Sequence, residues 1–528
     1  MPIGAEVTNF HEFRATPRSS PPRPGLHKPG YEHAQWGVFE VDPSNGQIIH
    51  NHFGNQFFQL GSITKVITES SAWHTLGPDY RFHTPLFATG TRTGSTLNGN
   101  LDLVAQGDET MGGRTKPDGT VDFTSIDHAS ANELPGATLA PEDPLAGIDQ
   151  IAQQVHDAGI TQVNGDVIVD SRIFKAPDLD PQPQPLMIND NLIDLLSTPT
   201  TPGAPAQLTW RPQISTYNVT SSVTTGAPGS ATDIKVNPSA DGTHIQLSGT
   251  IAADAQPVLK ISTIQDSDSF GRTALIEALQ RAGVTVTAPE SGPNPASALP
   301  SSYGNDPQVA VFVSPPYREY AKLILKVSLN VGANMALCNM ATSQGSTQCF
   351  DAFPIEHDFL ANVAHVDPTQ IQLSDGRGVN TDVGTPIGID QIFDYWLHTP
   401  DADAFRLALP ILGVDGSNGI SCTTNCPAKG KVFSKSGTNL APDFLTPAPN
   451  GQPSLGVGAQ TEAGYLITDD GCVHLFYVGV TGAASPDINS FFSVFDDVNQ
   501  ISALLQEQAS AHSPRAAHSP RAAHSAKA

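Results

Sequence analysis

The two ends of this 528-residue chain carry a similar pattern, in which β-rich runs joined by a tight turn are accompanied by a helix. Near the start, residues 36–53 form two β-rich runs around Pro43-Ser44-Asn45-Gly46, a strong turn sequence. Near the end, a second pair of runs turns at Asp469-Asp470-Gly471, and residues 486–506 place apolar side chains at helical spacing. We therefore predict an α+β fold, an antiparallel sheet covered by helices.

The stretch between the two ends is rich in Pro, Gly, Ser and Thr, yet apolar residues recur throughout it, which indicates inserted β-rich domains. A chain of this length is also expected to divide into more than one domain. The predicted boundaries are a disordered segment at 1–30, a catalytic domain at 31–84 and 301–507, an inserted β-rich domain at 85–118 and 215–300, a second inserted domain at 119–214, and a disordered tail at 508–528.

The overall charge excludes one class of partner. The chain has 27 Lys and Arg against 52 Asp and Glu, a net charge of −25, which repels phosphate backbones and argues against nucleic-acid binding. No run of 18 apolar residues occurs, so no transmembrane segment is predicted. The polar, Pro-rich start lacks the apolar stretch of a signal peptide, so this chain is expected to carry none.

Five cysteines allow two interpretations. Cys338 and Cys349 are close in sequence, and Cys422 and Cys426 bracket a short loop, so two local disulfides with Cys472 left over would favour an oxidising compartment. Five reduced, buried thiols are the alternative. No histidine lies at ligand spacing from these cysteines, which argues against a metal site formed by them. We predict no metal and no cofactor for this chain.

The first candidate catalytic motif is Ser62 with Lys65 at the start of a predicted helix. Residues three apart share a helix face, so the amine can reach the hydroxyl. Serine becomes a nucleophile when a base removes its proton, and lysine can be that base if burial or a neighbouring cation lowers its pKa. By itself the motif indicates little, because about one chance match is expected in a chain of this length.

Two further motifs follow in order. Ser328 and Asn330 form an S-x-N at a helix junction, where a hydroxyl can relay a proton and an amide can hold a substrate carbonyl. Lys435-Ser436-Gly437-Thr438 ends an alternating strand. We expect the small residue and glycine to let a substrate backbone lie along that strand, and the lysine to attract a carboxylate.

In this order the motifs resemble the S-x-x-K, S-x-N and K-[ST]-G signatures of the penicillin-binding and serine β-lactamase superfamily. The wider sequence is similar to its D-alanyl-D-alanine carboxypeptidase/endopeptidase family of low-molecular-mass penicillin-binding proteins. The stretches that carry this likeness are "LGPDYRF" (76–82), "LNGNLDLVAQGDETM" (97–111), "VNGDVIVDSRIF" (163–174), "LSDGRGVN" (373–380) and "LPILGVDGS" (409–417).

The resemblance implies a serine-type D-Ala-D-Ala carboxypeptidase, which could also be an endopeptidase. Ser62 would be the acylated nucleophile, Lys65 its base, and Ser328 and Asn330 the groups that relay protons and position substrate. The Lys435–Thr438 stretch would bind substrate, with the Lys435 charge near Lys65 and the backbone N–H groups of Ser62 and Thr438 as the oxyanion hole.

The same resemblance implies peptidoglycan stem peptides as substrates, β-lactams as acylating inhibitors, and a periplasmic or extracellular location. Two other functions stay open on the sequence alone: another S-x-x-K hydrolase, such as an esterase or β-lactamase, or a non-catalytic peptidoglycan-binding protein.

Some positions depart from the family pattern or have an open role. Leu329 occupies a position that is commonly acidic, and Leu60-Gly61 replaces a small polar run. Ser436 stands where threonine is usual. Asp170 could meet an amino group of a stem peptide or be structural, whereas Asp375, which precedes a glycine, is expected to form a turn.

Overall fold

The computed structural model describes residues 14–15, 28–448 and 451–512, so most of both predicted disordered termini lies outside the described residues. Its helices are α1 (Thr64–Leu76), α2 (Ala146–Asp157), α3 (Ser267–Arg281), α4 (Tyr317–Val327), α5 (Asn330–Ser343), α6 (Phe353–Asp358), α7 (Pro386–Leu397), α8 (Ala402–Ala408) and α9 (Ile488–His512). Its strands are β1 (Arg14–Ala15), β2 (Gln35–Asp42), β3 (Gln47–His52), β4 (Phe58–Gln59), β5 (His83–Thr93), β6 (Thr96–Val104), β7 (Gln162–Val163), β8 (Val167–Asp170), β9 (Leu192–Thr198), β10 (Gln207–Arg211), β11 (Asn218–Ser221), β12 (Thr224–Gly226), β13 (Asp233–Pro238), β14 (His244–Ala252), β15 (Val258–Thr263), β16 (Thr285–Val286), β17 (Gln308–Val313), β18 (Ile371–Gln372), β19 (Val383–Gly384), β20 (Val432–Pro447), β21 (Pro453–Ile467), β22 (Val473–Thr481) and β23 (Ala483–Ser485).

The chain divides into two compact units. The first comprises Met1–Ile67 and Glu356–Ala528, and the second comprises Thr68–Ile355. The first unit is therefore built from both ends of the chain.

The main sheet of the first unit has the strand order β1-β3-β2-β22-β21-β20, with β23 paired to β21. All its pairs are antiparallel except β1 with β3. Both predicted hairpins are present, as β2–β3 and β21–β22, and β2 pairs with β22 in the middle of the sheet. This arrangement confirms the predicted α+β fold with an antiparallel sheet.

Helices cover both faces of this sheet. Helix α9 packs on one face through an apolar cluster that includes Val38, Leu466, Phe476, Val478, Phe491, Val498, Ile501 and Leu505. Tyr465 neighbours Leu466 in β21 and therefore points to the opposite face, where its hydroxyl donates to the carbonyl of Phe393 in α7 at 3.0 Å.

Helix α9 is longer than the sequence predicted. It continues to His512, past the predicted start of the disordered tail at residue 508. The physical reason is that Ser510 is buried and accepts a hydrogen bond from the backbone N–H of Asp469 at 3.1 Å, while Gln506 donates to it at 2.9 Å. The last turn is thus tied to the β21–β22 turn.

The second unit contains three sheets. The largest has the order β16-β7-β6-β5-β17 with β8 paired to β6, and it mixes parallel and antiparallel pairs. The other two are β11-β14-β12 with β13 paired to β14, and β10-β9-β15. Helices α2 and α3 share a core with the largest sheet, which includes Leu101, Leu103, Ile148, Ile151, Val155, Leu275 and Leu279.

Helices α4 and α5 belong to the second unit, although the sequence assigned them to the catalytic domain at 31–84 and 301–507. They are held there because Asn339 of α5 donates to the Gly107 carbonyl at 3.2 Å and Asn334 donates to the Pro181 carbonyl at 3.1 Å. The predicted split of the insert into two domains stays a prediction.

The cysteines pair as the disulfide interpretation expects. Cys338 is bonded to Cys349 in the second unit, Cys422 is bonded to Cys426 in the first, and Cys472 is free and exposed. Separately, none of the helices in the described ranges is long and apolar enough to cross a bilayer.

Candidate active site

Ser62 lies in a short 3-10 turn, Gly61–Ile63, that leads directly into α1. One helical turn later, the side chain of Lys65 is completely buried. Its Nζ donates to Ser62 Oγ at 2.7 Å and to the carbonyl oxygen of Arg377 at 2.9 Å. The two residues of the first motif are therefore in direct contact.

The turn before Ser62 packs directly on the strand of the third motif. Gly61 has φ +51°, and a Cβ there would lie 2.5 Å from the backbone nitrogen of Thr438. A Cβ on Gly437 would overlap the carbonyl oxygen of Leu60. The expectation that Gly437 leaves space for substrate therefore needs correction, because that space is filled by the Ser62 turn.

Thr461 of β21 contacts both of these segments through its hydroxyl group. Its hydroxyl lies 2.9 Å from the Leu60 carbonyl and 3.3 Å from the Gly437 carbonyl. The backbone nitrogen of Thr438 is thereby held close to Gly61, the residue before Ser62. This places one of the two expected oxyanion-hole donors next to the turn that supplies the other.

Lys435 lies in β20, the strand of the third motif, and its side chain is completely buried. Burial lowers its pKa to about 7. Its Nζ donates to the carbonyl oxygen of Ser436 at 2.7 Å, and the Ser436 hydroxyl lies 3.2 Å from that of Ser417. Ser417 belongs to the family-like stretch at 409–417, and in the structure its hydroxyl contacts the third motif.

The backbone hydrogen bonding along the outer edge of β20 changes at Ser434. Up to this residue the edge is occupied, because Ser434 N donates to the Pro410 carbonyl and Leu412 N donates to the Val432 carbonyl, each at 3.0 Å. Beyond it, β20 is the last strand of the sheet, and no described strand pairs with its outer edge. An extended peptide can add to such an edge by main-chain hydrogen bonds.

A buried carboxyl group in the neighbouring strand β21 is hydrogen-bonded to this strand. Glu462 of β21 accepts hydrogen bonds from Ser434 and Ser502 at 2.5 Å each and from Asn418 at 3.1 Å. Burial raises its pKa, against the hydrogen bonds from Ser434 and Ser502. Glu462 thus links β20, α9 and the segment after Ser417, a role that its sequence context does not reveal.

The family-like stretch "LSDGRGVN" forms a loop beside the Ser62 turn. Asp375 accepts from the backbone N–H groups of Arg377 at 3.0 Å and Gly378 at 2.8 Å, which confirms its predicted turn role. Asn439, with its amide oriented to satisfy its neighbours, donates to the carbonyls of Thr438 at 3.0 Å and Gly378 at 3.1 Å. The loop and the third-motif strand are therefore joined beside the Ser62 turn.

The second motif lies in the second unit, at the predicted helix junction. Ser328 ends α4 in a left-handed conformation, φ 61°, and Asn330 is the first residue of α5. Leu329 between them is buried. Asp170, in the same unit, accepts hydrogen bonds from Arg172 at 2.6 Å and from the Tyr303 hydroxyl at 2.7 Å.

One group of side chains in the described ranges is close enough to hold a metal ion, namely Asp127, His128 and Asp190. Arg114 already contacts Asp127 at 2.7 Å and Asp190 at 2.6 Å, and His128 contacts Asp190 at 2.7 Å and Asp194 at 2.6 Å. Burial and the Arg114 charge oppose protonation of His128, but Asp194 and Asp190 outweigh them and raise its pKa to about 10. The cluster is thus a buried ion network whose carboxylates are neutralised by protein cations.

Comparison with known proteins places the whole arrangement in one family. Residues 25–441 match the family model described as the D-Ala-D-Ala carboxypeptidase 3 (S13) family. The D-alanyl-D-alanine carboxypeptidase of Actinomadura sp. (strain R39) is 23% identical over 463 residues, which are 82% of this chain and 79% of that protein.

Solved structures share the fold. Penicillin-binding protein 4 of Haemophilus influenzae superposes with a TM-score of 0.65 at 19% identity, over 91% of this chain and 97% of that one. The same protein in complex with a β-lactam gives a TM-score of 0.62 at 20% identity, over 90% of this chain and 97% of that one.

Proposed function

This chain belongs to the D-Ala-D-Ala carboxypeptidase 3 (S13) family and is a serine-type D-Ala-D-Ala carboxypeptidase, and we propose that it acts through an acyl-enzyme on Ser62. The observation that supports this most directly is the 2.7 Å contact between the Lys65 amine and the Ser62 hydroxyl. In this proposal Lys65 acts as a neutral amine that accepts the serine proton, as a base beside a serine nucleophile does.

The reaction has two halves. Lys65 takes the Ser62 proton while Oγ attacks the carbonyl carbon of the penultimate D-Ala, and the bond to the terminal D-Ala breaks as the leaving nitrogen receives a proton. Water then attacks the resulting ester, which releases the shortened peptide and regenerates Ser62. The backbone N–H groups of Ser62 and Thr438 stabilise the oxyanion in both halves, and one such donor is typically worth ~10²–10³ in rate.

Substrate binding follows from the edge of β20. The stem peptide adds as an antiparallel strand beyond Ser434, where no described strand occupies the edge. Lys435 supplies positive charge for the terminal carboxylate, and the hydroxyls of Ser436 and Thr438 lie on the same stretch of strand. We assign Ser328 and Asn330 the proton-relay and substrate-positioning roles that the family resemblance implies.

The natural substrates in this proposal are peptidoglycan stem peptides, and β-lactams acylate the same serine. The corresponding location is outside the cytoplasmic membrane, where peptidoglycan lies. Cleavage of cross-linked peptides, the endopeptidase reaction, is the second activity to be measured.

Labelling with a fluorescent penicillin tests the proposal. We expect one covalent adduct per chain, mapped by peptide mass analysis to Ser62, and release of D-Ala from an N-acylated L-Lys-D-Ala-D-Ala peptide. Ser62→Ala should lose both, whereas Ser44→Ala, which changes an exposed turn serine, should lose neither. An adduct on another residue would overturn the assignment of the nucleophile, and rapid turnover of the penicillin would indicate a β-lactamase.

A further inference from the structure

The second unit contains a cavity that the mechanism above does not use. Its volume is about 320 Å³, which is within the range of small-molecule sites. Tyr80 and Phe82 form an aromatic part of its lining, and residues between 339 and 347, at the end of α5 and just after it, form a polar part. Gln106 and Ile173 also line it. All of these residues belong to the second unit.

The aromatic part presents one accessible ring on a fixed support. Tyr80 is 42% exposed, whereas Phe82 is buried. The two rings meet edge to face, with centroids 5.1 Å apart and planes at 89°, and Phe82 also contacts the ring of Tyr320 in α4. The Tyr80 ring is therefore available to a ligand. An aromatic ring of this kind packs well against the apolar face of a sugar ring.

The polar part presents hydrogen-bond acceptors. The Thr342 hydroxyl donates to the Asn339 carbonyl at 3.1 Å, and the Ser343 hydroxyl donates to the Met340 carbonyl at 2.7 Å. Because their protons are used within the helix, these two hydroxyls have lone pairs left to accept hydrogen bonds from a ligand. Gln106 donates its amide N–H to a nearby backbone carbonyl at 3.4 Å, so its Oε1 is a further acceptor.

The charge of the lining favours a neutral ligand. None of the described residues that line the cavity carries a charged side chain. Helix α5 ends at Ser343, and the C-terminal end of a helix carries the negative end of its dipole. A phosphate or carboxylate is therefore disfavoured, whereas a neutral molecule with several O–H and N–H donors fits. An N-acetylated amino sugar has such donors in its hydroxyls and its acetamido group.

The segment that follows α5 is fixed in place. Cys338 of α5 is bonded to Cys349, which closes the loop that contains this part of the lining. Within the loop, the Thr347 carbonyl accepts from the backbone N–H of Lys175 at 2.9 Å. The cavity is therefore formed before a ligand enters, which reduces the entropic cost of binding.

Helix α5 also connects the cavity to the second motif. Asn330 is its first residue and Ser343 its last. At about 1.5 Å of rise per residue, the stretch from Asn339 to Ser343 lies roughly 14–20 Å from Asn330 along the helix axis. In peptidoglycan about four stem residues separate the scissile bond from an N-acetylated sugar, and an extended chain of that length spans ~13–14 Å. The two distances are comparable.

We propose that this cavity binds an N-acetylated amino sugar of the glycan strand that carries the stem peptide. The ring of Tyr80 packs against the apolar face of the sugar, and Thr342 and Ser343 accept hydrogen bonds from its hydroxyl and acetamido groups. The inference rests on the proposed function, because it names the part of the substrate that is bound beyond the peptide. Stem peptides that carry the glycan are consequently better substrates than the bare peptides.

Two measurements test this proposal. Titrations followed by NMR give the Kd for chitotriose, an oligomer of N-acetylglucosamine, and for maltotriose, which lacks acetamido groups. Release of D-Ala gives kcat/KM for a disaccharide pentapeptide and for the same pentapeptide without sugar. The variants are Tyr80→Ala, which removes the ring, and Thr342→Val, which removes one acceptor but keeps the shape. Phe350→Ala is the matched control, because Phe350 is 41% exposed in the same unit but does not line the cavity.

We expect wild type and Phe350→Ala to bind chitotriose at least tenfold more tightly than maltotriose. Both should also prefer the glycan-bearing substrate at least fivefold in kcat/KM. Chitotriose binding should weaken at least tenfold in Tyr80→Ala and at least threefold in Thr342→Val, and in Tyr80→Ala the preference between substrates should fall to near one. Equal affinity for the two sugars in wild type, or a preference that Tyr80→Ala retains, would overturn the proposal.

The two readouts also separate this inference from the proposed function. If wild type releases D-Ala from both substrates with equal kcat/KM, the cavity does not bind the glycan although the proposed function stands. If it releases D-Ala from neither, the proposed function fails, and the chitotriose and maltotriose titrations still decide whether the cavity binds N-acetylated sugars. Thermal unfolding of each variant shows whether a loss of binding is a loss of folding, and Thr342→Val, which changes only one hydroxyl to a methyl group, provides the test if Tyr80→Ala is unfolded.

Discussion

The carbonyl oxygen of Leu60 occupies the space that a side chain on Gly437 would need. The Ser62 turn and β20 are therefore in backbone contact, and Thr461 bonds to the carbonyls of Leu60 and Gly437. The distance between Ser62 and the N–H of Thr438 is consequently fixed by packing between two segments that are far apart in sequence. Catalysis that depends on an oxyanion hole should be sensitive to any atom added at this contact.

The first prediction concerns this contact. Gly437→Ala should reduce the rate of penicillin acylation at least a hundredfold, because the new methyl group forces Thr438 N away from the Ser62 turn. Gly456→Ala is the matched control, since its Cβ would meet only the Ala441 carbonyl oxygen at 3.7 Å in the adjoining strand. Stopped-flow acylation and thermal unfolding of both variants check it, and a Gly437→Ala rate within threefold of wild type would contradict it.

Local sequence patterns predicted the elements of the fold well. The two hairpins, the helix after Ser62, the junction at Ser328 and the strand at Lys435 are all present. Each depends on residues close together in sequence, such as a Gly-containing turn or an alternating strand. The membership of α4 and α5 in the second unit was not predictable, because side-chain bonds to Gly107 and Pro181 decide it.

The site was predicted less completely, for the same reason. The three motifs are visible as short local patterns, but Thr461 and Glu462 act by contacts across long stretches of sequence. A lone acid or threonine in a strand has no local pattern that marks it. The loop at 374–378 was visible as a family-like stretch, and only the structure shows that its carbonyl contacts Lys65.

The second prediction concerns the base. Lys65→Met keeps an apolar side chain of similar length but removes the proton acceptor from Ser62. The acylation rate should fall by ~10²–10⁴, the usual contribution of general-base catalysis. Lys235→Met, at an exposed lysine of β13, should leave the rate unchanged. A Lys65→Met variant that keeps more than a tenth of the wild-type rate would exclude Lys65 as the base.

The third prediction concerns Glu109, a fully buried carboxyl whose oxygens have no hydrogen-bond partner among the described residues. Burial first, and then the charges of Glu69, Asp190 and Asp108, raise its pKa well above the ordinary value. The folded state therefore holds this proton more tightly than the unfolded state does. The contribution of Glu109 to the free energy of unfolding is consequently fully present below about pH 4 and is lost as the pH rises.

Glu109→Gln stays neutral at every pH and should avoid that loss. The free energy of unfolding of Glu109→Gln relative to wild type should rise with pH above about pH 4 and reach roughly 1–3 kcal/mol in favour of the variant. Glu133→Gln, at an exposed glutamate, should show no such trend. Urea unfolding at a series of pH values measures the free energy of unfolding of both variants. If the difference between Glu109→Gln and wild type does not depend on pH, Glu109 ionises as freely in the folded protein as in the unfolded protein.

The last prediction concerns Lys435 and the terminal carboxylate. Lys435→Ala should slow a peptide ending in a free carboxylate more than its C-terminal amide, by about ten- to a hundredfold, the size of a charge-assisted hydrogen bond of roughly 1.5–3 kcal/mol. Lys431→Ala is the control, because this lysine precedes the same strand but bonds to Asp469. An equal loss for both peptides would make Lys435 a partner in activating Ser62 and assign carboxylate recognition to another residue.

The pH dependence separates these roles further. Because burial lowers the pKa of Lys435 to about 7, its amine is charged below that pH and neutral above it in the free enzyme. The value of kcat/KM reports the free enzyme, so the preference for the carboxylate over the amide should decline as the pH rises through 7. In Lys435→Ala the preference should be small and independent of pH. A wild-type preference that stays constant up to about pH 9 would mean that Lys435 remains charged, or that the carboxylate is bound without it.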